Sequence, residues 1–286
     1  MAGVGTRRGL ASSPPVPTTT FDPHVAPHWI ERFRAGARER VRDELAVEEP
    51  LEIRVDGSAL AVTMRTPGED EELASGFLLG EGLVGGPDDL ASVGLTDDLA
   101  ANVVEVRTRR GLRRDPSAER RFHLSSSCGI CGKGALELVR QEAPPARVTP
   151  GPIEPETVIR APELARHKQV AFERTGGLHA TALFDSAGEL LLLREDVGRH
   201  NAMDKAIGAL LLAGALPTPG TIACLSGRSS FELVQKASLA GLAGIVAVGP
   251  PSTLAVALAR ERGMLLCGFV RGTSFNVYAG SDLLAE

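Results

Sequence analysis

The sequence predicts an α/β fold. Its second half reads as a parallel sheet covered by helices on both faces, and a smaller α+β part precedes it. Three observations carry that prediction. From Thr221 onward, the apolar runs 222–225, 245–248 and 264–270 alternate with helical patterns over 231–240 and 253–262. Continuous apolar strands joined by helical crossovers belong to sheets buried on both faces. Upstream, residues 51–55 and 59–65 alternate with period two around Asp56-Gly57, which marks a tight hairpin. Between these regions Pro144, Pro145, Pro150, Pro152, Pro155 and Pro162 crowd one stretch, which reads as a linker or crossover.

Composition narrows the class. The 286 residues are 43% hydrophobic and 23% charged, enough for one large domain or two small ones. A net charge of -5 argues against general binding to nucleic acid or to a membrane surface. The N-terminus holds no apolar core segment of a signal peptide, and no run of ~18 apolar residues suggests a membrane span. Four cysteines in a chain this long make no disulfide framework. The expectation is a soluble cytoplasmic protein.

In chain order, residues 1–45 read as a variable extension. Residues 1–28 are rich in Pro, Thr, Gly and Ser and are expected to be disordered. Residues 29–44 alternate Arg and Glu around Trp29, Ile30 and Phe33, and are expected to form a short peripheral helix. Residues 46–145 form the α+β part. After the hairpin and its Thr66-Pro67-Gly68 end, residues 71–82 place Leu73, Phe77 and Leu78 on one helical face. A strand follows at 103–107. The basic loop 109–121 is compatible with a solvated turn or with a docking patch for an acidic partner. Residues 146–286 form the α/β part. It opens with a helix over 163–172 and with a strand that His179 begins and that runs to Phe184. Ser186-Ala187-Gly188 turns it, and 190–193 returns. A polar cluster from Arg194 to Asn201 comes next, with Asn201 as the expected cap of a helix over 202–213. Ser229 with Glu232 suggests a capping box, and Ser252 a cap for the next helix.

The reactive groups concentrate in Ser125-Ser126-Ser127-Cys128-Gly129-Ile130-Cys131-Gly132-Lys133. Glycines flank both sulfurs, so the backbone turns tightly and little bulk covers them. The helix expected at 135–140 would direct partial positive charge at the thiols, and Lys133 adds a full one. Both favour thiolate. Structural zinc needs about four ligands, usually from two such pairs, and no second Cys-x-x-Cys or His-x-x-x-His exists. A thioredoxin-like pair would follow the first strand of a compact fold. The remaining reading is a nucleophilic or sulfur-carrying thiol, with no structural metal expected. Cys224 and Cys267 lie in apolar strands and read as core.

Ligands of open α/β sheets bind at the carboxyl ends of the strands. Polar clusters fall there at 194–201, 226–230 and 271–276. The Ser226-Gly227-Arg228-Ser229-Ser230 loop suits a phosphate, through backbone N–H groups and an arginine, and equally suits a capped turn. Arg271 is placed to add a second cation for a diphosphate. His179 and His200, with Asp196 and Arg199, would orient a thiol, a ligand or each other.

Seven motifs in register resemble one family. They are Met64-Arg65-Thr66-Pro67, Glu72 to Leu78, Cys128-Gly129-Ile130-Cys131-Gly132, Thr175-Gly176-Gly177-Leu178-His179, Asp196 to Lys205, Ser226 to Ser230, and Gly268-Phe269-Val270-Arg271. Over residues 47–280 the chain resembles the FdhD family of formate dehydrogenase accessory sulfurtransferases. Gly249-Pro250-Pro251-Ser252 departs from the Ser-Ala-Pro-Thr type of turn expected there. The resemblance implies a three-layer, cytidine-deaminase-like fold with a mixed sheet, and a homodimer. It also implies a relay: a cysteine desulfurase loads sulfur as a persulfide, and the sulfur passes to the bis-(molybdopterin guanine dinucleotide) molybdenum cofactor before that cofactor enters formate dehydrogenase. Carried onto this chain, Cys128 holds the persulfide and Cys131 relays or supports. The guanine-nucleotide end would lie along Phe269, Val270, Arg271, Gly272, Thr273 and Ser274, aided by Ser226, Gly227, Arg228, His200 and Asn201. The deaminase signature His-x-Glu…Pro-Cys-x-x-Cys is absent from the sequence, which argues against deaminase chemistry. A cofactor chaperone that transfers no sulfur is the rival reading.

Overall fold

The computed structural model describes residues 22–96, 102–113, 152–216 and 220–286. Cys128, Cys131, the expected helix at 135–140, residues 114–121 of the basic loop and residues 1–21 of the expected extension lie outside the described residues.

The first strands are β1 (Val25–Arg34) and β2 (Ala37–Ala46), which pair antiparallel as a ribbon. They occupy the stretch where a disordered segment and a charged helix were expected. The signal for the ribbon is Ala35-Gly36, both at positive φ, which supplies a hairpin turn. The Arg/Glu alternation then reads as period two, with Arg40 over the Trp29 ring and Arg38 over the Phe33 ring. At the base of the ribbon, Val25 packs with Ala171 and Leu178.

Next come β3 (Glu49–Val55) and β4 (Ser58–Arg65), joined as expected through Asp56-Gly57, both at positive φ. Helix α1 (Asp70–Gly80) follows, then β5 (Leu90–Leu95) and β6 (Val103–Thr108). These strands form a sheet of order β4-β3-β6-β5, with β3 and β6 parallel. The sequence reading lacks β5, whose Leu-Ala-Ser-Val-Gly-Leu shows no clear alternation.

The proline-rich stretch is not only a linker. Helix α2 (Pro155–Lys168) begins on Pro155, where a missing N–H costs nothing, and runs through Pro162. Packing of Val158, Ala161 and Ala165 against the sheet outweighs the hydrogen bond that Pro162 cannot make. The short helix α3 (Val170–Thr175) leads into β7 (His179–Phe184) and β8 (Leu190–Asp196). Helix α4 (Arg199–Leu212) starts earlier than expected. Gly198, not Asn201, occupies its N-cap. Then β9 (Ile222–Leu225), α5 (Phe231–Leu239), β10 (Gly244–Ala247), α6 (Thr253–Glu261), β11 (Leu265–Arg271) and β12 (Ser274–Ala279) complete the helices and strands of the described residues. Ser252 Oγ accepts the Ala255 N–H at 3.2 Å, the expected cap. Ser230, not Ser229, stands at the N-cap of α5, and its side chain makes no capping bond.

The second sheet has the order β12-β11-β10-β9-β7-β8. Strands β9, β10 and β11 are mutually parallel, while β7, β8 and β12 join antiparallel. The sheet is therefore mixed, with its parallel part at the C-terminal end of the chain. Side chains alternate between the two faces. Ala223, Leu225, Ile245, Ala247 and Leu266 face α1, α4, α5 and α6. Ala182, Phe184, Ile222, Cys224, Val246 and Cys267 face α2. Both cysteines are buried there as core residues, and burial pushes their thiols up to about 12. No helix among the described residues is long and apolar enough to cross a membrane.

Helices α1 and α4 cross backbone to backbone. A Cβ on Gly76 would sit 1.8 Å from Asp204 O, and one on Gly208 1.8 Å from Glu72 O. Gly76→Ala and Gly208→Ala are each expected to destabilise the chain by about 2–3 kcal/mol, read as a lower urea midpoint, because neither backbone can yield without moving the other helix.

Candidate functional site

The end of β8 places three charged residues in succession, each tied to a different element. The Arg194 guanidinium donates to the Glu72 carboxylate of α1 at 2.5 and 2.8 Å. Glu195 accepts the Ala171 and Phe172 N–H groups at 3.0 and 2.8 Å, completing the start of α3. Asp196, fully buried, meets the equally buried Lys205 ammonium at 3.0 Å. Asp196 also accepts N–H bonds from Thr66 at 3.1 Å and Gly198 at 2.8 Å. Lys205 donates to Thr66 O at 2.9 Å. Asn201 joins this lock: its Nδ2 donates to Met64 O at 2.7 Å and to Asp196 Oδ1 at 3.0 Å. The Asn201 side chain is thus turned into the structure.

Fixed by that lock, the carboxyl ends of β9, β10 and β11 meet the start of β7. Their loops continue the ladder beyond the strands. Ser226 N donates to Ala180 O at 3.1 Å, Gly249 N to Gly227 O at 3.1 Å, and Phe269 N to Gly249 O at 3.3 Å. The approach requires glycine, since a Cβ on Gly249 would lie 3.0 Å from Gly227 O, and one on Gly268 3.0 Å from Gly249 O. Ser226, Gly227, Arg228 and Phe269 therefore share one edge, as their sequence positions suggested. Phe269 is held at φ 54, a left-handed backbone for a bulky residue, and is 41% exposed. Val270 turns the other way, buried against the α2 face. Arg271, Gly272, Thr273 and Ser274 form the turn between β11 and β12, where Ser274 Oγ donates to Arg271 O at 3.2 Å. Among the described residues, neither Arg228 nor Arg271 makes an ion pair, so both guanidiniums are available to an anion.

Two histidines complete the edge. His179 Nδ1 lies 3.4 Å from Ser226 Oγ, which itself accepts the Ala180 N–H at 2.9 Å. Burial and the nearby Arg199 lower the His179 pKa from its ordinary value. His200 Nε2 lies 3.2 Å from Ser230 Oγ. Burial, with Lys236 and Arg199 close by, pushes His200 down to about 4. Both imidazoles are neutral near pH 7. Arg199, at the first turn of α4, has a buried Nε without a hydrogen-bond partner. The edge thus carries cationic and neutral donors, a setting for an anionic ligand.

Beside this edge, between the sheet and α2–α3, lies a cavity of about 470 Å³. Ala165, Gln169, Phe172, Leu178, His179 and Ser226 contribute to its wall. Sequence reading found His179 and Ser226 through their polar clusters. Gln169 and Phe172 carry no motif, and only the junction of α2 with α3 brings them to the cavity.

Acidification gives a check on His200. With a folded pKa of about 4 against an ordinary 6.5, the folded chain binds fewer protons than the unfolded chain between those values. Stability therefore falls as pH drops through 6.5 toward 4. Going from pH 7.5 to 5, this residue's share of the loss is about 1–2 kcal/mol, and His200→Gln is expected to shrink the fall in urea-melt stability by that amount.

Comparison with known proteins identifies the family. Sulfur carrier protein FdhD of Streptomyces avermitilis is 49% identical over 270 residues, covering 90% of this chain and 94% of that protein. The sulfur carrier protein FdhD of Mycobacterium tuberculosis is 44% identical over 254 residues, covering 84% and 91%. A crystal structure of a formate dehydrogenase accessory protein from Desulfotalea psychrophila superposes with a TM-score of 0.76 at 22% identity, over 92% of this chain and all of that one, and so shares the fold. The family model described as FdhD/NarQ matches residues 46–285. The chain belongs to the FdhD/NarQ family.

Proposed function

We propose that this protein is a persulfide-forming sulfur carrier, a sulfurtransferase that serves formate dehydrogenase. The observation that carries the reading is a glycine-flanked Cys-x-x-Cys in a chain that is 44–49% identical to sulfur carrier proteins over most of its length. Cys128 thiolate attacks the sulfane sulfur of a cysteine desulfurase persulfide. One S–S bond forms as the other breaks, and the desulfurase thiolate leaves, so the exchange needs no outside oxidant or reductant. Cys131 supports or relays. The Cys131 thiolate then attacks Cys128 Sγ: the Cys128–Cys131 disulfide forms as the persulfide S–S bond breaks. The outer sulfur leaves at the sulfide level to the bis-(molybdopterin guanine dinucleotide) molybdenum cofactor, bound as substrate before it enters formate dehydrogenase. A cellular dithiol reductant restores the two thiols.

The strand-end edge supports the substrate half of this reading. A guanine-nucleotide diphosphate suits Arg228 and Arg271, neither of which makes an ion pair among the described residues, and the exposed Gly272–Thr273 turn. His200 and Ser230 close one side of that edge. Phe269, exposed at the rim, offers an aromatic face to the base. The protein is proposed to act in the cytoplasm as a homodimer.

Two measurements test the reading. Incubation with a cysteine desulfurase and cysteine is expected to add one sulfur, ~32 Da by intact-mass spectrometry, to the wild type and to Cys131→Ala but not to Cys128→Ala. No added mass in any sample would leave a cofactor chaperone as the function. Arg228→Ala with Arg271→Ala is expected to weaken GDP binding about 10–100-fold in calorimetry while sulfur loading persists. Unchanged affinity would remove both arginines from the site.

A further inference from the structure

The β1–β2 ribbon takes no part in the strand-end edge or the cavity wall. Among the described residues it is seated at its base. Val25 packs with Ala171 and Leu178. Val47 N donates to His24 O at 2.9 Å, and Arg174 of α3 donates to the Glu44 carboxylate at 2.7 Å and also to Asp22. Beyond that base, every residue from Glu31 to Arg40 is exposed. A two-stranded ribbon is marginal in water by itself. This one holds 10 residues in each strand, and at ~3.4 Å per residue it reaches about 30 Å.

The pleat gives the ribbon two unlike faces. Trp29, Glu31 and Phe33 stand opposite Arg42, Arg40 and Arg38, so these six side chains share one face. Trp29 is 64% exposed and Phe33 66%. Arg40 lies 5.2 Å from the Trp29 ring centroid and Arg38 4.9 Å from that of Phe33, which steadies both rings. Arg38 also pairs with Glu31 at 3.2 Å, which neutralises that carboxylate. Among the described residues, neither Arg40 nor Arg42 makes an ion pair. This face therefore keeps two positive charges on a chain whose net charge is -5. The opposite face is balanced: Arg32 and Arg34 share it with Glu39 and Asp43, and Arg32 lies 3.7 Å from Asp43. Exposed aromatic rings set among arginines are the composition of an interface core rather than of plain solvated surface.

We infer that the aromatic–arginine face of the β1–β2 ribbon docks a carboxylate-bearing surface of the formate dehydrogenase that the chain serves. The inference rests on the function proposed above and says where the served enzyme binds. Charge and position choose this occupant. Guanidiniums without ion pairs, standing between exposed rings, take carboxylates set among apolar side chains. Nucleic acid fits less well, because Glu31, Glu39 and Asp43 interrupt the arginines and the chain as a whole is acidic. As for position, Val25 alternates onto the same face as Trp29 and Phe33, and it packs against Leu178, which lines the cavity. A Cβ on Gly177, also in the cavity wall, would lie 3.6 Å from Ala46 Cβ at the ribbon's base. The ribbon thus rises beside the crevice from which the cofactor would be handed on. Charge steers that encounter, and the two rings anchor it.

Biolayer interferometry of the full chain against cofactor-free formate dehydrogenase from the same organism tests this, at low and at high salt. Trp29→Ala with Phe33→Ala, and Arg40→Glu with Arg42→Glu, are each expected to weaken binding about 10-fold or more. The charge-reversed pair is also expected to lose the salt dependence that the wild type shows. Arg34→Ala, on the opposite face, is expected to bind as the wild type does. All these side chains are exposed, so Tm, GDP affinity and sulfur loading are expected to stay at wild-type values in every variant. Equal binding by all variants would overturn the inference, as would a wild type that retains a DNA oligonucleotide but not formate dehydrogenase. A ring-deleted variant that turns from dimer to monomer would give the face to a second copy of this chain instead. Lost sulfur loading with formate dehydrogenase binding intact would give it to the sulfur donor, and either result sinks the inference. Sulfur loading of the wild type reports on the carrier reading separately: a loaded wild type with an unresponsive ribbon sinks the ribbon alone.

Discussion

Asp196 and Lys205 are both fully buried, and their 3.0 Å contact joins the end of β8 to the interior of α4. Removing two charges from water is expensive, and such a pair persists only when its remaining donors and acceptors are also satisfied. Here they are. Thr66, Gly198 and Asn201 donate to the carboxylate, and Thr66 O accepts from the ammonium. The lock therefore clamps the chain after β4 onto the turn between β8 and α4, across some 130 residues of sequence. The crevice depends on it, because the same turn carries Arg199 and His200 to the carboxyl ends of β9 and β10.

The rest of the site is built by close approach of backbone. Gly249 and Gly268 let three loops continue the sheet's hydrogen bonding past the strands. The result is a firm platform whose rim carries Arg228 and Arg271, without ion pairs among the described residues, and neutral histidines. A second buried node, Lys236 with Asp204 at 2.9 Å and Glu81 at 3.3 Å, holds α1, α4 and α5 beneath that platform. Burial raises the Asp204 carboxyl to about 6, while the Lys236 ammonium opposes that rise. Polar pairs inside the helix layer and glycines at the strand ends thus divide the labour: the former set the positions of the helices, and the latter bring the loops together.

Much of this was legible in the chain. The β3–β4 hairpin follows from its alternation and from Asp56-Gly57, and β9 through β11 follow from apolar runs between helical patterns. Ser226 to Arg228 and Phe269 converge because parallel strands deliver their carboxyl ends to one edge. Local signals failed where tertiary packing overrode them. Helix α2 contains Pro162, which by propensity should end it, yet its apolar face against the sheet holds it. The β1–β2 ribbon reads as a charged helix unless the Ala35-Gly36 turn is noticed. β12 looks like a polar loop, and only its pairing with β11 makes it a strand.

Arg194 to Asn201 marks the boundary between the two kinds of information. Composition and order revealed a dense polar cluster after a strand, and the family motifs, with Cys128 and Cys131 among them, pointed to sulfur chemistry. Which members of the cluster lie inside the fold and which at its surface was not readable, because a carboxylate or an amide looks the same in sequence whether it locks a fold or binds a substrate. The packing decided it: Asp196, Asn201 and Lys205 turn inward because their partners, Met64 and Thr66, lie on another element brought alongside. Arg199 and His200 stand at the crevice. Gln169 and Phe172 belong to the cavity wall for the same reason, since a pocket is a property of surfaces that meet only after the chain has folded.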